Sequence, residues 1–188
     1  RGNTFYRLRR LVVDAAGSVL VAGPAWSAPS LNSLTLKYDT LGTLLWSRTH
    51  NSPSDNVDGP WDLSVDTAGN VYVTGDSWGG TNKDFGTVKY NSSGTLQWAR
   101  LFNGPGNGDD YGYAVAPASG GTLFVTGQTW NGANYDITTL KYDGAGNVLW
   151  ARTYSRPGSG NDYVAAVVTD QQGSAYVTGY SWNGTSDD

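Results

Sequence analysis

Four glycines, Gly23, Gly75, Gly127 and Gly179, close the runs VLVAG, VYVTG, LFVTG and AYVTG, each 52 residues after the one before. A fixed period of this length signals an array of equivalent units, and it has to be settled before any single motif is interpreted. Other residues keep the same phase. Trp26, Trp78, Trp130 and Trp182 follow the glycines, then the pairs Lys37-Tyr38, Lys89-Tyr90 and Lys141-Tyr142. Trp46, Trp98 and Trp150 come next, each followed two positions later by Arg48, Arg100 or Arg152, and Asp58, Asp110 and Asp162 keep the interval as well. No insertion breaks the phase over the 188 residues.

Each period reads as four short strands. In the second copy these are 61–66 (WDLSVD), 70–75 (NVYVTG), 85–90 (FGTVKY) and 95–100 (TLQWAR). The turns between them carry the Asp, Asn and Gly that tolerate positive φ or bond their own backbone. No segment sustains a helical period, so the chain is expected to be all-β. Four strands per unit of about 40 to 50 residues point to a β-propeller of four-stranded antiparallel blades. The second strands are apolar or small at nearly every position, as expected where blades bury both faces. The chain is read as one partial propeller over 1–188, with copies at approximately 1–52, 53–104, 105–156 and 157–188, about three and a half blades. That count predicts a piece of a longer propeller or a protomer that needs neighbours. Centring the hairpin on Ser92-Ser93 places Thr87 opposite Trp98, with Thr35 and Thr139 opposite Trp46 and Trp150.

The stretches DTAGNVYVTGDSW (66–78) and KYDGAGNVLW (141–150) resemble the bacterial β-propeller repeat family known as SBBP. The resemblance runs from about Asp14 onward, with Ala118 standing where the second copy has Asp66. It implies a propeller in a secreted or cell-surface protein and no particular enzymatic activity.

Composition narrows the function. All 16 acidic residues are Asp, against 12 Lys and Arg, and the net charge is −4. Neither nucleic acid nor membrane insertion is expected of such a chain. There is no Cys, which removes disulfides, thiolate catalysis and thiolate metal sites. The Asn, Ser, Thr and Gly richness fits an extracellular or cell-surface location.

Three sets of residues are candidates for chemistry. Trp26, Trp78, Trp130 and Trp182 sit in a long loop after the second strand, where they either form a row suited to stacking on sugars or cover the gaps between blades. Asp58, Asp110 and Asp162 stand in Gly- and Asn-rich loops before each first strand, where they either hold calcium or cap turns. Calcium apart, no cofactor is expected. His50 is the only histidine and aligns with Phe102 and Tyr154, which suggests an aromatic packing position rather than a catalytic one. The reading is of a non-enzymatic scaffold or interaction module whose partners are other protein chains or the remaining blades of its own propeller. Two alternatives stand beside it, a glycan- or calcium-dependent recognition domain and part of a larger propeller enzyme.

Overall fold

A computed structural model of the chain describes residues 7–28, 30–52, 56, 58–157 and 160–182. Among these residues, apart from one 3-10 turn, the regular structure is β, arranged as consecutive antiparallel meanders. The first sheet holds β1 (Arg10–Val13), β2 (Val19–Ser27), β3 (Ser30–Tyr38) and β4 (Leu44–His50). The second holds β5 (Gly59–Val65), β6 (Val71–Trp78), β7 (Lys83–Tyr90) and β8 (Leu96–Phe102). The third holds β9 (Tyr111–Pro117), β10 (Leu123–Trp130), β11 (Tyr135–Tyr142) and β12 (Val148–Tyr154). A two-stranded sheet follows, β13 (Asp162–Thr169) with β14 (Ala175–Ser181). Each sheet runs in simple sequence order, and the sheets do not close into a ring. Among the described residues no helix is long and apolar enough to cross a membrane.

The first strands β1, β5, β9 and β13 pack on one another along a shared axial groove, and the fourth strands lie outermost. The cores lie between sheets. Leu20, Trp46, Leu63, Val71, Val88 and Tyr90 fill the space between the first and second sheets. Tyr72, Phe85, Trp98, Val125, Leu140 and Tyr142 fill the next. Ala114, Ala116, Phe124 and Val167 begin a third. Both faces of β2, β6 and β10 are therefore largely buried, which accounts for their unbroken apolar runs, while the equivalent β14 of the last sheet stays mostly exposed.

The repeated Trp and Arg of the outermost strands fasten the first sheet to the second and the second to the third. Trp46 donates its indole N–H to the carbonyl of Ser92 at 3.2 Å, and Trp98 to that of Gly144 at 3.1 Å. Arg48 and Arg100 donate from Nε to the carbonyls of Gly94 and Gly146, at 2.6 and 2.9 Å. Their receiving turns are the third-to-fourth-strand hairpins of the following sheet.

The hairpin register differs from the sequence expectation. Lys89, not Thr87, stands opposite Trp98, and Thr87 pairs with Arg100; Lys37 and Lys141 likewise face Trp46 and Trp150. Local turn chemistry causes the shift. Asn91 Oδ1 accepts the N–H groups of Ser93 and Thr95, Gly94 takes φ +78°, and a bulge follows at Lys89/Tyr90. A turn ending in a left-handed Gly and a bulge moves the pairing by two positions, which keeps each side chain on its face.

The departure at Ala118 also has a physical reason. In the second sheet Asp66 accepts the Tyr72 hydroxyl at 3.0 Å, and in the last sheet Asp170 accepts that of Tyr176 at 3.0 Å. In the third sheet the Tyr position is Phe124, which offers no hydroxyl, and the Asp position is Ala118. In the first it is Leu20, and Asp14 instead pairs with Lys37 at 2.8 Å.

Candidate functional site

The loops from second to third strand and those leading into the next first strand lie at one end of the array. Gly106 N donates to the carbonyl of Trp130 at 2.9 Å, within the third sheet's own end, and Asp110 N donates to that of Lys83 at 2.7 Å, which joins the loop to the sheet before. Strand β6 runs on through Trp78 and β7 starts at Lys83, so only 79–82 form the loop. Its turn is closed by Gly79 N donating to Asn82 O at 2.8 Å. Trp78 and Trp130 thus end second strands, Trp26 lies one residue inside the end of β2 and Trp182 directly follows β14, so none of the four stands in a long loop.

Trp130 rests against Gly108 and Trp182 against Gly160, both in the loop leading into their own sheet. Both rings thus lie against that loop. Trp78 and Trp130 are half-buried, while Trp182 is 42% and Trp26 61% exposed. The four stand one per sheet, and the structure does not gather them into a cluster.

Asp58, Asp110 and Asp162 are buried. Each accepts a backbone N–H from six residues upstream, that of Ser52 at 2.6 Å, Gly104 at 2.5 Å and Arg156 at 3.1 Å. Asp110 also accepts the N–H of Trp130 at 2.8 Å, so both of its oxygens are engaged. Burial raises the Asp110 pKa to about 6; the two N–H donors work against the shift, and the nearby Asp84 and Asp109 add to it. The three Asp residues belong to different sheets. Among the described residues no three His, Asp, Glu or Cys side chains converge as a cation set. His50 ends β4 at the position where Phe102 ends β8 and Tyr154 ends β12. Burial lowers its pKa, opposed by Asp58, and the Ser52 hydroxyl nearby makes no hydrogen bond. Asp55 lies outside the described residues.

What the repeat did not announce is a row of rings that runs from the loop end toward the axial groove. Trp130 meets Tyr135 edge-on at 5.2 Å between centroids, and Tyr135 meets Tyr111 at 6.1 Å. Tyr111 stacks on Tyr113 at 6.0 Å, and Tyr113 meets Trp61 edge-on at 5.3 Å. All five rings are half-buried. Polar groups flank them at close range. Trp61 donates its indole N–H to Asp76 at 2.5 Å, and Asp76 pairs with Lys83 at 2.9 Å. Lys83 Nζ lies 5.5 Å from the Tyr111 ring, and Asp109 accepts the Tyr111 hydroxyl at 3.3 Å and the Lys83 N–H at 2.9 Å. Burial, with Asp76 and neighbouring phenols, raises the Tyr113 pKa to about 12, and burial with Asp109 raises that of Tyr111. Both phenols stay protonated at neutral pH and can donate hydrogen bonds.

The signal for this row is in the sequence, but it lies in the places where the copies disagree. Position 111 is Tyr where its counterparts are Gly59 and Tyr163, and Tyr113 corresponds to Trp61, Ala165 and Arg9. Asp76 corresponds to Pro24, Gln128 and Tyr180, and Lys83 to Leu31 and Tyr135. Positions that hold sheets together repeat, whereas positions at the axial rim differ from copy to copy.

Comparison with known proteins agrees with this architecture. The family model described as Beta-propeller repeat (SBBP) matches residues 60–82, as the motifs led us to expect. No curated protein matches the chain. Among solved structures, a member of a new polysaccharide lyase family, PL25 ulvan lyase, is similar with a TM-score of 0.55 at 11% identity, over 95% of this chain and 56% of that one. A glycosyl hydrolase from Bacteroides ovatus is similar with a TM-score of 0.43 at 12% identity, over 92% of this chain and 64% of that one. The chain thus spans less than two thirds of the length of either structure. The likeness to the lyase corrects the expectation that this chain is no enzyme. That expectation rested on a single His and on a family resemblance that implies no particular activity, and the fold is shared with an enzyme that acts on a polysaccharide.

Proposed function

We propose that the row from Trp130 to Trp61 is a saccharide-binding track and that the chain forms part of a carbohydrate-acting propeller. The continuity of the row carries this reading: five rings in successive contact, drawn from two sheets and flanked by Asp76, Lys83 and Asp109. Sugar rings offer an apolar face and a rim of hydroxyls, and a binding site for them combines ring platforms with a few placed polar groups. The likeness of fold to a polysaccharide lyase supports it. On this reading the sheets are blades of a ring completed by further blades or other chains, and it works outside the cell, where polysaccharides are met.

Titration with a panel of oligosaccharides, read by tryptophan fluorescence and calorimetry, tests the track. Tyr113→Ala is expected to weaken binding about tenfold or more, since one stacked ring contributes on the order of 1–2 kcal/mol, while Trp26→Ala leaves it unchanged. If no saccharide binds, or if Tyr113→Ala binds as well as the parent, the reading is wrong. Incubation with polysaccharides, followed by product sizing, tests catalysis in the same preparation.

A further inference from the structure

Arg9 occupies the repeat position of Trp61 and Tyr113, and it lies at the axial end of the ring row. Its guanidinium carbon stands 3.8 Å from the centroid of the Trp61 ring. The backbone before β1 is fixed there, because Arg9 N donates to the carbonyl of Ala22 at 3.0 Å. Arg9 and Arg10 both line an axial cavity of 570 Å³ together with Trp61, Asp62 and Tyr113.

The carboxylates around this cavity and along the row already have partners. Asp62 pairs with Arg10 at 2.9 Å and accepts the N–H of Val115 at 2.9 Å. Asp76 is shared by Lys83 and Trp61, and Asp109 by Lys83 and Tyr111. Arg9 has no ion pair among the described residues, and its buried Nε has no hydrogen-bond partner. A buried guanidinium donor with nothing to receive it is costly, and a planar oxyanion is the group its fork fits. Stacking on Trp61 holds the fork at the mouth of the cavity, where the sugar track ends.

We propose that the saccharide bound on the track is acidic, and that Arg9 receives its carboxylate or sulfate ester while Trp61 and Tyr113 hold the ring. This rests on the saccharide reading above and adds the chemical class of the ligand. Both acid groups present oxyanions to a guanidinium, so the ligands tested separate them: a polyuronate oligosaccharide, a sulfated neutral galactan and an uncharged glucan. Affinities are measured by calorimetry at low and high salt for the parent, Arg9→Gln and Arg9→Lys.

An acidic saccharide is expected to bind tighter than the uncharged glucan. Arg9→Gln should lose about tenfold or more of that affinity, the scale of a charged hydrogen bond, and the loss should be larger for the acidic ligand than for the glucan. Arg9→Lys should recover part of the loss, and high salt should weaken the acidic ligand alone. Preference for the polyuronate or for the sulfated galactan identifies the group that Arg9 holds. Thermal melts of the three proteins show whether the fold is intact, and if Arg9→Gln unfolds, the salt dependence of the parent decides. Acidic and uncharged ligands binding the parent equally well, with Tyr113→Ala weakening both, would overturn the acid reading and leave the track standing. Binding of no saccharide would overturn both.

Discussion

Trp98 donates its indole N–H across 3.1 Å to the carbonyl of Gly144, so that the outermost strand of one sheet is tied to the hairpin turn of the next. Gly146 stands against the same ring, where a Cβ would press on the indole, and its φ of +81° disfavours any side chain. The Lys-Tyr-Asp-x-x-Gly-x-x-x-Trp pattern is therefore two halves of one intersheet joint, with the turn in one sheet receiving the Trp of the sheet before. Trp98→Ala is expected to cost about 3–5 kcal/mol, the range for a buried aromatic. Trp150→Ala should cost less, since that ring is half-buried and packs on Phe124 at 5.7 Å. Urea unfolding of both variants measures the difference, and equal losses would refute the joint.

The glycines that set the period have a separate reason. A Cβ on Gly127 would stand on the carbonyl of Tyr111, and one on Gly75 on the carbonyl of Gly59, where the first strand bulges against the second. Gly127→Ala must therefore push β9 away from β10 at Tyr111, the middle ring of the track. It is expected to lower stability by about 1–3 kcal/mol, as overpacking does, and to weaken saccharide binding. Gly75→Ala displaces Gly59 and should weaken binding less at equal cost in stability. Paired melts and titrations of the two variants provide the check, and identical binding losses would contradict it.

The repeat made the architecture legible because every copy must solve the same packing problem. Gly23 to Gly179, the outer Trp and the Asp at the loop ends answer to contacts made once per sheet, so they recur in phase. The register of the hairpin was not legible, because the Asn91 turn and the bulge after it shift pairing without altering which residues are apolar. Tyr111, Tyr113 and Lys83 were missed for a different reason. They face the axial rim, where nothing requires the copies to agree, and a search for recurrence passes over them. Trp130 alone was reached from both directions, by recurring in phase and by standing at the outer end of the row.

Lys37 and Asp14 form a buried ion pair in the first sheet, with side chains 8% and 5% exposed. Burial alone would raise the Asp14 pKa, but Lys37 and the N–H groups of Ser18 and Ala16 outweigh it and hold the group below its ordinary value. Lys37→Ala leaves the carboxylate buried without its counterion, at a cost of about 3–5 kcal/mol. Removing both charges as Asp14→Ala with Lys37→Met should cost less than Lys37→Ala alone. Denaturant titrations of the single and double variants test this, and strict additivity would show that the two groups do not act as a pair.

The pH dependence of stability follows from carboxylates shifted in opposite directions. Asp14, Asp39, Asp143 and Asp170 are held low, so their contribution is present above the unfolded value of about 3.9 and is lost as pH falls through their folded values. Asp110, Asp84 and Asp62 are raised chiefly by burial. Their contribution is fully present below the unfolded value and is lost as pH climbs, for Asp110 through about 6. His50 opposes this trend, because burial lowers its pKa and its neutral form gains favour as pH rises. His50→Phe, matching Phe102 at that position, removes the opposing term. In that background the melting temperature is expected to fall from pH 5 to pH 7, and adding Asp110→Asn should flatten the fall even as it lowers stability at both. Thermal melts across this range decide the matter: a melting temperature that rises toward neutrality in the His50→Phe protein would show that Asp110 is ionised in the fold at no cost.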